Sequence, residues 1–140
     1  MLPSQANSRP DIIATDNRGR LVHDPSVLNT HWGIDVAIYE LRTYAVVVGK
    51  MADVTELYKT QGWPALAKHP QRLVGYFTGD VGAINQLVHL WKFEDDADRR
   101  AFWAGVFGDA EFMAFARQLR PMLLSQENKL MLAAPWGPAP

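Results

Sequence analysis

Cysteine is absent from the 140 residues. That excludes disulfides, thiolate nucleophiles and cysteine-held metals. Neither sign of charge dominates: 14 Lys and Arg stand against 15 Asp and Glu, a formal net charge of −1. Binding phosphates takes a basic surface, so neither nucleic acid nor an anionic membrane is an expected partner. No apolar run approaches the ~18 residues of a membrane-spanning helix. The opening Met-Leu-Pro-Ser-Gln-Ala-Asn lacks the basic and apolar regions of a signal peptide. A cytoplasmic location is the expectation. Nucleotide signatures are missing as well. Gly49-Lys50 has neither the earlier glycine nor the following Ser or Thr of a P-loop, and no Gly-x-Gly-x-x-Gly occurs. No Gly-x-Ser-x-Gly marks a hydrolase. His23, His31, His69 and His89 show no paired ligand spacing such as His-x-x-x-His, so no metal site is expected.

What remains is an ordinary globular composition, 48% hydrophobic and 21% charged, long enough for one domain with a real core. Residues 1–35 are rich in Pro, Asn, Asp and Ser and read as an N-terminal arm. Ile12-Ile13, the turn Asn17-Arg18-Gly19 and Leu21-Val22 could make a small hairpin there, and Trp32-Gly33 would anchor its end. Val36 to Val48 is β-branched and aromatic-rich, a strand. Glu40, Arg42 and Tyr44 share one of its faces. Lys50 to Lys68 reads as a helix with Met51, Val54, Leu57 and Tyr58 in one buried stripe, kinked near Gly62 and Pro64. Arg72 to Thr78 and Ile84 to Phe93 form a hairpin around Gly79-Asp80-Val81-Gly82. In its second strand Asn85, Leu87, His89, Trp91 and Phe93 alternate onto one side. Glu94-Asp95-Asp96 opens a long helix whose acidic start suits the free N–H groups of a helix N-terminus. Gly108-Asp109 breaks or recaps it before Pro121. Gln126 to Ala133 is the last strand, and 136–140 is a tail.

The order strand, helix, strand, strand, helix, strand is the split βαβ, ferredoxin-like arrangement. It predicts an α+β fold with a four-stranded antiparallel sheet and both helices on one face. The opposite face would be bare, and single domains rarely expose so large an apolar area. A second copy packed sheet to sheet would cover it, giving a two-fold homodimer.

Several spaced motifs add a family resemblance. Tyr39-Glu40-Leu41-Arg42-Thr43-Tyr44, Gly49-Lys50, Gly75-Tyr76-Phe77-Thr78, Gly82, Asn85-Gln86, His89-Leu90-Trp91, Arg99, Pro121 and Ser125-Gln126-Glu127-Asn128 resemble the NIPSNAP family, over about residues 36–135. The resemblance implies a dimeric α+β barrel fold. One departure is Val48, where the family usually has proline before Gly49-Lys50. Animal relatives are associated with mitochondria and vesicle traffic; bacterial relatives mostly carry no assigned chemistry.

Candidate chemistry centres on His89, whose unperturbed pKa lies near neutrality, as a general acid or base. Arg42 could hold a carboxylate or enolate through its bidentate fork, with Glu40 two residues away on the same face. Tyr44, Tyr76, Asn85, Trp91, Gln126 and Asn128 complete the candidate ligand-binding set. Each also has a plain structural reading, as core, ion pair or interface. Two functions fit. One is cofactor-independent acid–base chemistry on, or binding of, a small, partly aromatic carbonyl- or carboxylate-bearing molecule. The other is a non-catalytic interaction dimer. Haem on His89 is a minor alternative, drawn from fold analogy alone.

Overall fold

The structure, a computed structural model, describes residues 37–140 and the backbone of 14–15 and 21–22. The chain divides into two units, 1–35 and 36–140. In the first, β1 (Ala14–Thr15) and β2 (Leu21–Val22) pair antiparallel, Ala14 opposite Val22. The turn of that hairpin and the Trp32-Gly33 pair lie outside the described residues.

The second unit runs β3 (Ile38–Val46), α1 (Met51–Leu57), α2 (Trp63–Leu66), β4 (Leu73–Thr78), β5 (Gln86–Phe93), α3 (Asp96–Gly108), α4 (Ala110–Leu119) and β6 (Leu123–Leu132). The sheet order is β4-β5-β3-β6 with every pair antiparallel, the ferredoxin-like topology. Among the described residues no helix is long and apolar enough to cross a membrane.

Local chemistry explains the element ends. The hairpin turn needs Gly82 at φ +88°, and a side chain on Gly79 would put its Cβ 2.1 Å from the Ala83 carbonyl. Asp95 caps α3 by accepting from Asp98 N at 2.7 Å, and Asp96 and Asp98 sit in its first turn. Asp109 ends that helix and caps α4, accepting from Glu111 N at 2.8 Å. The expected kink between α1 and α2 is a π-helical turn, Tyr58–Gly62. Gly62 is needed there for space: a Cβ would lie 2.6 Å from the ring of Phe115.

The last strand starts earlier than its polar run suggests, at Leu123, because Val46 pairs with Leu123 across a bulge after Ala45. The tail beyond it is tied down rather than frayed. Pro140 O accepts from Tyr39 Oη and from Lys92 Nζ, both at 2.8 Å.

Two apolar clusters fill the space between helices and sheet. One holds Tyr44, Val46, Val54, Leu87, Phe115 and Leu119; the other holds Leu66, Trp91, Phe93, Phe102, Trp103 and Val106. Tyr76 and Phe112 pack against both.

Candidate functional site

Strand register places the site residues in three neighbouring rows on the helix side of the sheet. The middle row runs Tyr76, His89, Arg42, Asn128 across β4, β5, β3 and β6. On one side lies the row Thr78, Leu87, Tyr44, Gln126; on the other, Leu73, Trp91, Glu40, Leu130. Alternation along each strand gives this face its residues, and directly opposed side chains stand close enough to interact.

His89 is 3% exposed and ringed by tyrosines. Tyr76 meets it at 4.5 Å and Tyr44 at 4.7 Å between ring centroids, both edge-on. Tyr58 reaches down from the π-turn and makes a long 3.4 Å hydrogen bond with His89 Nε2. Burial, and secondarily the positive charge of Arg42, lowers the His89 pKa to about 3. The imidazole is therefore neutral at physiological pH. Burial likewise raises the pKa of Tyr44, Tyr58 and Tyr76, so all three hydroxyls keep their protons.

Arg42 is held on three sides. Its Nε donates to Asn128 Oδ1 at 3.2 Å and lies 3.7 Å from Glu40 Oε1, while its guanidinium stacks 4.2 Å from the Trp103 ring centroid. Glu40, 1% exposed, accepts from Trp103 Nε1 at 2.8 Å and pairs with Arg99 Nη1 at 3.6 Å. Glu40 thus locks the supporting residues and does not line the cavity.

Between these rows and the helices is a chamber of about 120 Å³, bounded by Arg42, Tyr44, Tyr76, His89 and Trp91 of the sheet below and by Tyr58 of the π-turn and aromatic side chains of α3 and α4 above. Gln126 reaches its edge. Among the described residues, two side chains that line the chamber each carry a buried donor with no partner, Tyr76 Oη and Trp91 Nε1. Such orphans are uncommon in folded proteins and mark a place where something else can bond. Among the described residues no three His, Asp or Glu side chains gather as a metal would require.

Of the residues singled out in the sequence, His89, Arg42, Tyr44, Tyr76, Trp91 and Gln126 meet at this chamber. Asn128 supports Arg42 from the next strand. Asn85 does not join them. It precedes β5, with its backbone carbonyl accepting from Val46 N at 2.8 Å. Tyr58 and Trp103 also join the site; helical spacing had explained Tyr58 as part of a buried stripe.

Fold and site together define a ferredoxin-like α+β domain with a histidine-centred aromatic chamber between its layers. Residues 39–138 match the NIPSNAP family, and the chain belongs to it. A NIPSNAP family protein of unknown function from Agrobacterium tumefaciens is 31% identical with a TM-score of 0.69, the match covering 74% of this chain and 94% of that one. A NIPSNAP-like domain protein from Burkholderia xenovorans is 29% identical with a TM-score of 0.70, covering 76% and 92%. Protein NipSnap homolog 3A of Pongo abelii is 27% identical over 104 residues, 73% of this chain and 41% of the relative. The chain thus spans about two-fifths of that curated relative's length.

Proposed function

We propose that the chamber binds the carbonyl or carboxylate group of a small, partly aromatic molecule without a cofactor, and that His89 serves as a base toward it. The pair of unpartnered donors, Tyr76 Oη and Trp91 Nε1, carries this reading. Leaving a buried donor unsatisfied costs roughly 1–3 kcal/mol, and an acceptor on a ligand would recover it. Arg42, in the same row as Tyr76 and one row from Trp91, offers a fixed charge and a planar fork suited to a carboxylate. Tyr44 and Gln126 flank it, and Glu40 and Asn128 position it.

The charge state limits what His89 can do. A neutral imidazole has no proton to spare as an acid cation, so its role is acceptance. The nearby Arg42 charge contributes to its low proton affinity. An anion bound beside Arg42 offsets that repulsion and raises the proton affinity of His89. Ligand binding and proton uptake are therefore coupled in this reading.

The test is a fragment series of aromatic carboxylates and ketones followed by NMR on the labelled protein. The expected result is a shift of the Trp91 indole N–H and of the His89 ring, lost in Arg42→Ala. A series that moves neither resonance at millimolar concentration overturns the reading.

We also propose that the domain works as a homodimer joined through the sheet face opposite the helices. That face carries Leu41, Val88 and Leu90, each half-buried, and Phe77, 55% exposed. Register places Phe77 beside Val88 and Leu90 beside Leu41, one continuous apolar strip. A second copy supplies an identical strip under two-fold symmetry.

A further inference from the structure

A second cavity of about 350 Å³ lies against the chamber, on the far side of Tyr58 and Tyr76. Both tyrosines line both spaces, and their rings meet edge-on at 5.5 Å between centroids. The two spaces differ in chemistry. The inner chamber is lined by Arg42, His89, Tyr76 and Trp91, the last two each with an unpartnered buried donor. The outer groove is walled by Met51, Val54, Trp63 and Leu87, with Thr55 and Lys59 at its side.

Size separates their tasks. Pockets for drug-sized ligands begin at ~300 Å³. The inner chamber, at about 120 Å³, can take only a head group of a few heavy atoms. The outer groove reaches that range, but its walls have little to bond a polar group. The π-helical turn sets the division. It carries Tyr58 at its first position, and this kind of widened turn is frequent at functional sites.

We propose that the chamber and the groove are two halves of one site for an amphipathic acid. Its carboxylate sits in the inner chamber on Trp91, Tyr76 and Arg42, and its alkyl or arylalkyl chain runs out between Tyr58 and Tyr76 into the apolar groove. The proposal rests on the chamber reading above and adds the shape and length of the ligand. Tyr58 and Tyr76 then act as a divider that parts around the chain. Lys59 stands at the groove.

The experiment is a straight-chain series from butyrate to decanoate, titrated into the full chain, with the Trp91 indole N–H resonance as reporter. Affinity is expected to rise about four-fold per added methylene, the ~0.8 kcal/mol of a buried CH₂ group. Thr78→Trp, which fills the groove from the end of β4, should remove the chain-length dependence while butyrate still shifts Trp91. Met51→Trp fills the groove from the other wall and should do the same. If butyrate shifts Trp91 but longer acids gain nothing, the two-part site falls and the chamber reading stands. If longer acids gain affinity equally in the filled variants, the chain binds elsewhere and the two-part site again falls. If no acid of any length moves Trp91, the two-part site falls, and the chamber reading falls with it if the aromatic carboxylates and ketones also leave Trp91 unmoved.

Discussion

Trp103 Nε1 donates to Glu40 Oε2 at 2.8 Å, joining α3 to the middle of β3. The same indole ring stacks under the Arg42 guanidinium, and Arg42 in turn lies against Glu40. Carboxylate, indole and guanidinium thus form a closed triangle, with Arg99 as a further partner of the carboxylate. Buried ion pairs of this kind gain little over an apolar replacement of all partners, but removing one partner strands the rest. Glu40→Leu should cost about 3–5 kcal/mol in urea denaturation. Glu40→Gln, which can still accept from Trp103, should cost clearly less. Equal losses in the two variants would mean the indole bond contributes nothing.

Tyr76 presents the opposite case. Its ring is packed on both clusters, but its hydroxyl bonds to nothing among the described residues. Replacing an unsatisfied buried group by an apolar one of the same shape is neutral or stabilising. Tyr76→Phe should therefore leave the empty protein as stable as the wild type, or more stable by up to about 1–3 kcal/mol, while weakening carboxylate binding. A clear loss of stability would show that the hydroxyl already has a partner.

His89 makes stability depend on pH. Its native pKa is lowered to about 3, against 6.5 for a free histidine. Between those values the unfolded chain binds a proton that the native state does not. Stability therefore rises with pH across this window and falls on acidification below about 6.5, at up to ~1.4 kcal/mol per pH unit for one group. Asp96, Asp98 and Asp109 have lowered pKa values and lose their contribution only at more acid pH. Comparing wild type with His89→Gln between about pH 4.5 and 6.5 isolates the histidine. The variant should show the shallower slope; parallel slopes would mean that His89 protonates freely in the folded protein.

Much of this architecture was legible because its signals are local. The period of two in β5 put Leu87, His89, Trp91 and Phe93 on one face, and all four are buried there. Acidic residues marked the start of α3 because a helix N-terminus has free N–H groups to fill. Other features had no local signal. Trp103 and Glu40 lie 63 positions apart, and nothing near either residue announces the bond. Tyr58 fitted the stripe Met51, Val54, Leu57, so helical spacing accounted for it before the π-turn aimed it at His89. Asn85 fitted the alternation of β5, but the hairpin turn absorbed it and used its backbone instead.

Gly62 tests how far Tyr58 depends on that turn. Its conformation is ordinary helix, so only space forbids a side chain. In Gly62→Ala the new methyl meets Phe115 Cε2 and Cζ at 2.6 Å and Tyr58 Cδ1 at 3.1 Å. Overpacking of this kind costs about 1–3 kcal/mol. The strain should fall on the π-turn and shift the Tyr58 and His89 resonances. Adding Phe115→Leu should restore much of the loss. A silent Gly62→Ala would show that the turn has slack and does not fix the tyrosine.

The proposed dimer makes the last prediction. Leu90 sits mid-strand on the open face of β5, opposite Leu41 on β3 and Gly75 on β4. A charge there touches neither the chamber nor the helices, because alternation points it away from both. At an interface, a buried unpaired charge costs far more than the apolar contact it replaces. Leu90→Asp should therefore shift the sedimenting particle from twice the 15.7 kDa chain to a single chain at micromolar concentration. Wild-type protein that sediments at the single-chain mass under the same conditions would remove the sheet-to-sheet contact. It would leave Phe77, Val88 and Leu90 as an apolar strip with no second copy to cover it.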